Sequence, residues 1–192
     1  ATLLSVGTNK LIALLSGAEG IAVMGLYRSL GNWLSGTLSL GYGTLFLQRM
    51  SVSRSREGSD GIIQTAALVL CLQALALALL SLFAAEPLAA FLFGSTPTAA
   101  QIVDVRIIAG MAFVNLALQT LISLLKGQTN VRAIIAVKLA TSVSTFLLIV
   151  PLLRLGHRGL AWNLGSGSVI GSLAAAVCIA RIYRPSFKTF SL

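Results

Sequence analysis

The chain has 192 residues, of which 56% are hydrophobic and only 10% are charged. An ordinary soluble domain carries about 25% charged residues, and a chain of this size cannot bury so much apolar surface in water. The formal net charge is +9, and the basic residues lie mostly between apolar runs, where they would orient helices or meet anionic lipid. These features exclude a cytosolic enzyme, a disordered tail and a nucleic-acid-binding module, and they indicate an integral membrane protein.

Long stretches with few charges predict the fold, since a membrane-spanning helix needs about 20 mostly apolar residues. We predict an all-α, polytopic transmembrane bundle over 1–192, with one partial N-terminal span followed by five full spans. The approximate spans are 1–16 (partial), 21–48, 61–85, 105–126, 132–154 and 159–183. The short first range and the lack of a signal peptide at Ala1 lead us to expect a segment of a longer chain.

The connections between the spans are marked by glycine, proline and polar residues. A short turn is predicted over 17–20, and a flexible polar loop outside the bilayer over 49–60. Glu86-Pro87 is predicted to end the third span, because the residue before proline avoids the helical conformation, and 87–93 is too short to cross the membrane. The remaining two connections are predicted to be tight links between adjacent helices.

The distribution of basic residues predicts the orientation. If the first partial helix runs outward, the predicted inner side holds Arg49, Arg54, Arg56, Lys126, Arg132, Arg181, Arg184 and Lys188. The predicted outer side then holds only Arg106, Arg154 and Arg158. This asymmetry follows the positive-inside rule, so both ends of the segment are placed on the cytoplasmic side.

The second span carries the longest polar stripe. Arg28, Asn32, Ser35, Ser39 and Tyr42 follow one another at spacings of three and four residues, which places them on one face of a helix. Charged and polar side chains inside a membrane usually face other helices or water. This stripe therefore favours one wall of a hydrated central cavity. The alternative is a packing face with a snorkelling arginine near the membrane end.

Two further spans repeat the pattern. Asn115, Gln119 and Lys126 share a face of the fourth span, with Lys126 at the predicted inner mouth. In the fifth span Lys138 lies at helical spacing from three hydroxyl residues, although snorkelling explains its position equally well. Those hydroxyl residues are Thr141, Ser142 and Thr145. The candidate cavity residues are thus Arg28, Asn32, Ser35, Ser39, Asn115, Gln119 and Lys138.

Glycines crowd the second and sixth spans, where small residues let helices approach closely in lipid. We assign a packing role to Gly31, Gly36, Gly41, Gly43, Gly167 and Gly171. Gly41-Tyr42-Gly43 is not expected to be a phosphate loop, because it does not follow a soluble strand.

Acidic residues and histidine are too few for a catalytic triad or a metal site. The chain has 5 Asp and Glu and 1 His, and we expect no acidic residue inside any span. No catalytic residue, metal or cofactor is therefore predicted.

Three stretches resemble the polysaccharide and O-antigen flippases of the multidrug/oligosaccharidyl-lipid/polysaccharide exporter superfamily, most closely those for enterobacterial common antigen. They are NKLIALLSGAEGIAVMGLYRSLGNWLSG, AAEPLAAFLFGST and LISLLKGQTNVRAI, the last followed by a helix and LGHRGLAW. The resemblance implies two six-helix halves around a central cavity in the bacterial inner membrane. It also implies an undecaprenyl-pyrophosphate-linked oligosaccharide as substrate, membrane lipids as surroundings, and a second half of the same chain as partner.

Two alternatives stay open. A multidrug or cation antiporter of the same superfamily would be expected to carry carboxylates inside the membrane for proton or sodium coupling. A small membrane subunit that only packs against partners would end where this segment ends. The polar stripes count against that subunit.

Overall fold

The computed structural model describes residues 2–53, 56–94 and 96–183. Within these ranges the chain forms seven α-helices and no strand, and five helices are long and apolar enough to cross a membrane. The predicted all-α membrane bundle is therefore confirmed. In chain order the helices are α1 (Thr2–Ser39), α2 (Tyr42–Val52), α3 (Arg56–Phe83), α4 (Ala85–Phe93), α5 (Ala99–Gly127), α6 (Val131–Leu153) and α7 (His157–Tyr183).

The first helix consists of two segments that meet at Gly17. This glycine has φ 66° and ψ −164°, a conformation outside the helical region that a residue with a Cβ rarely adopts. A Cβ placed on Gly20 would lie 3.8 Å from Cγ2 of Ile12, whereas residues eight apart in a straight helix are separated by about 12 Å along its axis. The chain therefore bends back on itself at Gly17, and the predicted turn over 17–20 is reduced to this residue.

A second break corrects the prediction of one uninterrupted span over 21–48. Leu40 and Gly41 have φ values of 42° and 74°, so α1 ends at Ser39 and α2 begins at Tyr42. Gln73 of α3 donates a hydrogen bond from Nε2 to the Leu38 carbonyl at 2.8 Å, which stabilises the end of α1. The polar stripe of the second span is thus divided between two helices.

The connection between α2 and α3 is shorter than the polar loop predicted over 49–60. Helix α2 continues to Val52, α3 begins at Arg56, and the backbone N–H of Ser53 donates to the Arg49 carbonyl. Three basic residues assigned to the inner side, Arg54, Arg184 and Lys188, lie outside the described residues.

The start of α5 also differs from the prediction. The helix begins at Ala99, six residues before the expected start at 105. Thr98 and Gln101 form a capping box in which each side chain bonds the backbone N–H of the other residue. Residues assigned to an outer loop, including Asp104, therefore lie within the helix.

Helices α6 and α7 pack closely, as the glycine spacing predicts. A Cβ on Gly167 would lie 1.9 Å from Oγ1 of Thr145, and a Cβ on Gly171 would lie 2.1 Å from Oγ1 of Thr141. Such distances are far below van der Waals contact, so only glycine fits at either position. The packing role of these two glycines is confirmed.

The buried apolar residues form two clusters, one near each end of the bundle. Much apolar surface remains outside these clusters, and α3 shows it most clearly. Large side chains at least 46% exposed recur at helical spacing along α3: Leu68, Leu72, Leu75, Leu79 and Leu82. A continuous apolar stripe of this kind suits contact with lipid hydrocarbon or another membrane helix.

Candidate functional site

One polar cavity among the described residues, here called the Arg28 cavity, lies between α1, α5 and α7. It has a volume of about 220 Å³. Its lining residues are Arg28, Gly31, Asn32, Ile108, Met111, Ala112, Asn115 and Leu164. Arg28 is half-buried and is the only charged residue among the described residues of the lining.

Hydrogen bonds fix the walls of the Arg28 cavity. The Ser168 hydroxyl of α7 donates to Oδ1 of Asn115, which ties α7 to α5 and orients the amide. The Ser35 hydroxyl donates to the Ala112 carbonyl at 3.4 Å and ties α1 to α5. Ser35 itself is buried and does not line the cavity. The amide of Asn115 is thus held in one orientation and faces the helix that carries Arg28.

The second cavity, here called the Lys126 cavity, lies where α1 breaks and α2 begins. It has a volume of about 310 Å³, and within the described ranges Lys126 is its only charged lining residue. Its other polar side chains come from α1, α2, α3 and α5: Ser39, Tyr42, Thr44, Gln73, Gln119, Thr120 and Ser123. Gly41 and Gly43 contribute backbone to the same lining.

The two cavities follow each other along α5. Residues 108–115 line the Arg28 cavity and residues 116–126 line the Lys126 cavity, so their centres are separated by about 14 Å at the helical rise. Residue numbers increase in the same direction along α1 and α2, so these helices run alongside α5. The two cavities, and with them Arg28 and Lys126, are thus successive along α5, and no acidic residue among the described ones lines either cavity.

The predicted cavity residues divide between these two sites. Arg28, Asn32 and Asn115 line the Arg28 cavity together. Ser39 and Gln119 line the Lys126 cavity. The periodicity identified the correct helix faces, but the break at Gly41 separates what the sequence suggested as one wall.

Lys138 is not brought to either cavity. It is exposed on α6, two turns from the start of that helix. The hydroxyls of Thr141 and Thr145, expected on the same polar stripe, donate to the Val137 and Thr141 carbonyls of their own helix. Both threonine hydroxyls therefore find their hydrogen bonds within α6. The position of Lys138 suits snorkelling to the membrane surface.

A buried acidic residue was missed by the sequence analysis. Asp104 is 3% exposed and accepts a 2.8 Å hydrogen bond from the hydroxyl of Tyr27, which is 1% exposed, while its Oδ1 has no partner. The expectation that no acidic residue lies inside a span is therefore wrong. The capping box at Thr98 and Gln101 is the signal that would have placed Asp104 within α5.

Helix length, apolar composition and the exposed apolar stripe together define a multi-pass membrane protein. Comparison of the chain with protein-family models, with curated proteins and with solved structures found no match. The Arg28 and Lys126 cavities are therefore the features of the molecule that bear on its function.

Proposed function

We propose that this chain is the first half of a bacterial inner-membrane flippase that moves an undecaprenyl-pyrophosphate-linked oligosaccharide for surface polysaccharide synthesis. The observation that carries the proposal is the succession of two cavities along α5, each lined, among the described residues, by one basic residue and neutral polar groups and by no acidic residue. The second half of the same chain would complete the central cavity.

The chemistry of the substrate fits this succession of side chains. The pyrophosphate is anionic and would interact with the guanidinium of Arg28 and the ammonium of Lys126. Amide and hydroxyl side chains such as Asn115 and Ser39 would bond the glycan. Flipping requires a polar path rather than a covalent step, and repeat-built transporters open such a path by rocking one half against the other.

Arg28 is the residue on which this proposal depends most. A guanidinium does not lose its charge by deprotonation, so within a membrane it requires water, a counter-ion or an anionic ligand. Arg28 forms no ion pair within the described ranges, and no acidic residue lines its cavity. An anionic substrate would supply the missing partner.

Export of lipid-linked glycan by the full-length protein tests this role. Arg28→Ala should insert at normal levels and lower export by at least about tenfold, the effect of losing one charge-assisted hydrogen bond, and Arg28→Lys should recover part of it. Arg106→Ala is the matched control, because Arg106 is exposed on α5 and lines neither cavity. Normal export by Arg28→Ala at matched protein levels would refute the proposal for the Arg28 cavity.

A second candidate, a cation-coupled antiporter of the same superfamily, is favoured by one observation. Asp104 is a buried carboxyl group inside a membrane-spanning helix with one oxygen unpartnered, and such groups commonly carry protons or cations in transporters. Efflux of a cationic dye from vesicles with a pH gradient distinguishes the two. Efflux that is abolished by Asp104→Asn and unaffected by Arg28→Ala would favour the antiporter, and absence of efflux would favour the flippase.

A further inference from the structure

We propose that the Lys126 cavity is a phosphoryl-binding site built on the N-terminus of α2. The proposal depends on the proposed function only for the identity of the phosphorylated ligand, because binding of a phosphoryl group is measurable without transport. Four features carry it: an uncapped helix terminus, an unpaired lysine, unpartnered buried polar groups, and a cavity that brings them together.

The helix terminus supplies backbone donors. Gly41 is the N-cap of α2 and has no side chain to bond the first turn. The N–H groups of Thr44 and Leu45 donate to the Gly41 carbonyl. The N–H groups of Tyr42 and Gly43 precede them and have no acceptor in the described chain. Such free N–H groups and the positive end of the helix dipole favour an anion.

Lys126 supplies the charge. It lies in the last turn of α5, is exposed, and lines the cavity into which the first turn of α2 also faces. No acidic side chain lines this cavity, and Lys126 makes no ion pair in the part of the chain that the structure describes. The lysine and the helix terminus therefore add their positive potentials in one place.

Buried polar groups in the lining point to a ligand independently of the helix terminus. Thr120 is only 8% exposed, and its hydroxyl has no hydrogen-bond partner among the described residues. Gln73 is 7% exposed, and its Oε1 has no donor, although its Nε2 bonds the Leu38 carbonyl. Buried polar groups without partners are rare in proteins because each lost hydrogen bond is costly. The Thr120 hydroxyl is not among the fully buried atoms, so it is open to the cavity and would donate to a phosphoryl oxygen.

The small size of Gly43 keeps the site open. A Cβ placed on Gly43 would lie 3.1 Å from Oγ of Ser123, so the first turn of α2 approaches α5 as closely as a glycine allows. Gly41, by contrast, has open space around it and a φ of 74°, so its role is the helix break and not packing. The packing role predicted for Gly41 is wrong, as it is for Gly36, where nothing lies within 4 Å of a Cβ. The Gly41-Tyr42-Gly43 sequence instead forms a helix terminus that faces a basic residue.

Binding to the purified full-length protein in phosphatidylcholine nanodiscs tests the inference. The probes are farnesyl diphosphate, inorganic diphosphate and dioctanoyl phosphatidylglycerol, and farnesol is the uncharged control. We expect farnesyl diphosphate to bind and farnesol not to compete with it. Competition by inorganic diphosphate would identify the phosphoryl group alone as sufficient, and competition by phosphatidylglycerol would identify membrane lipid as a source. Both outcomes support a phosphoryl site.

The variants separate this site from general effects on folding. Lys126→Ala should weaken farnesyl diphosphate binding by at least about tenfold, Thr120→Val by about threefold, and Lys126→Arg should retain most of it. Arg132→Ala is the matched control, since Arg132 is exposed on the same predicted side and lines neither cavity. Wild-type binding by both Lys126→Ala and Thr120→Val would overturn the inference. If binding falls in both variants while glycan export stays normal, the phosphoryl site stands and its part in the proposed function fails.

Discussion

Two contact regions of the molecule use the same small and polar residue types with opposite results. Between α6 and α7, Gly167 and Gly171 bring Thr145 and Thr141 so close that one added methyl group would overlap the facing hydroxyl. Where α1 ends and α2 begins beside α5, glycines and hydroxyl residues instead line the Lys126 cavity, and the Arg28 cavity follows it along α5. A stripe of glycine, serine and threonine therefore does not by itself distinguish a packed contact from a binding cavity.

The difference lies in where the hydroxyl groups find their hydrogen bonds. Thr141 and Thr145 donate to carbonyls of their own helix, so the α6–α7 contact requires neither water nor ligand. Thr120 and Ser123 of α5 have no such bond within the described ranges and face the Lys126 cavity. Hydroxyl groups that bond their own helix permit dry packing, whereas those open to a cavity can bond water or a ligand.

The largest effect, a loss of stability, is expected from adding a methyl group to the packed contact between α6 and α7. In Gly167→Ala the new Cβ would lie 2.5 Å from the Thr141 carbonyl oxygen, a backbone atom that cannot move without displacing α6. We expect a loss of about 2–3 kcal/mol in stability from this overpacking, measured as a lower Tm of the purified protein. The control is Gly36→Ala, because nothing lies within 4 Å of a Cβ at Gly36. Equal Tm values for the two variants would contradict the packing described between α6 and α7.

A smaller effect, on ligand binding, is expected from a substitution at the Lys126 cavity. Gly43→Ala places its Cβ 3.1 Å from Oγ of Ser123, a contact that a small side-chain movement relieves at about 1 kcal/mol. We expect weaker binding of farnesyl diphosphate, because the first turn of α2 is pushed out of position. The double variant Gly43→Ala with Ser123→Ala removes the crowding atom and should restore binding. If the double variant binds no better than Gly43→Ala, the close approach of α2 to α5 does not shape the site.

The smallest effect is expected at Lys138, which the sequence suggested as a cavity residue. Because this side chain is exposed on α6 and lines neither cavity, Lys138→Ala should change glycan export by less than about twofold, within the range of an exposed charge. Export assays at matched protein levels measure this. A loss comparable to that of Arg28→Ala would mean that α6 contributes to the transport path.

Sequence patterns predicted the helices and the polar faces but not the break between α1 and α2. Arg28, Asn32 and Asn115 meet in one cavity because side chains three or four residues apart share a helix face, and this periodicity is visible in the sequence. The break at Leu40 and Gly41 was missed because a glycine in an apolar run serves equally well for packing or for a positive φ. Only tertiary structure distinguishes these two roles.

The position and the partner of Asp104 are a second feature that the sequence patterns did not predict. Counting charge-free residues placed the start of α5 too late, although the local capping signal was present. The partner of Asp104 is Tyr27, 77 residues earlier in the chain, and no local pattern predicts such a pairing.

Thiol labelling tests whether the Arg28 and Lys126 cavities are hydrated and positively charged while the α6–α7 contact is dry. With Cys71 and Cys178 replaced by serine, single cysteines are introduced as Asn115→Cys, Thr120→Cys and Thr145→Cys. They are labelled with anionic sulfonatoethyl and cationic trimethylammonioethyl methanethiosulfonate. Each rate is divided by that reagent's rate with a free thiol in solution. We expect positions 115 and 120 to react, both to favour the anionic reagent, and position 145 not to react. Preference for the cationic reagent at both cavity positions, or equal reactivity at 145 and 120, would contradict this expectation.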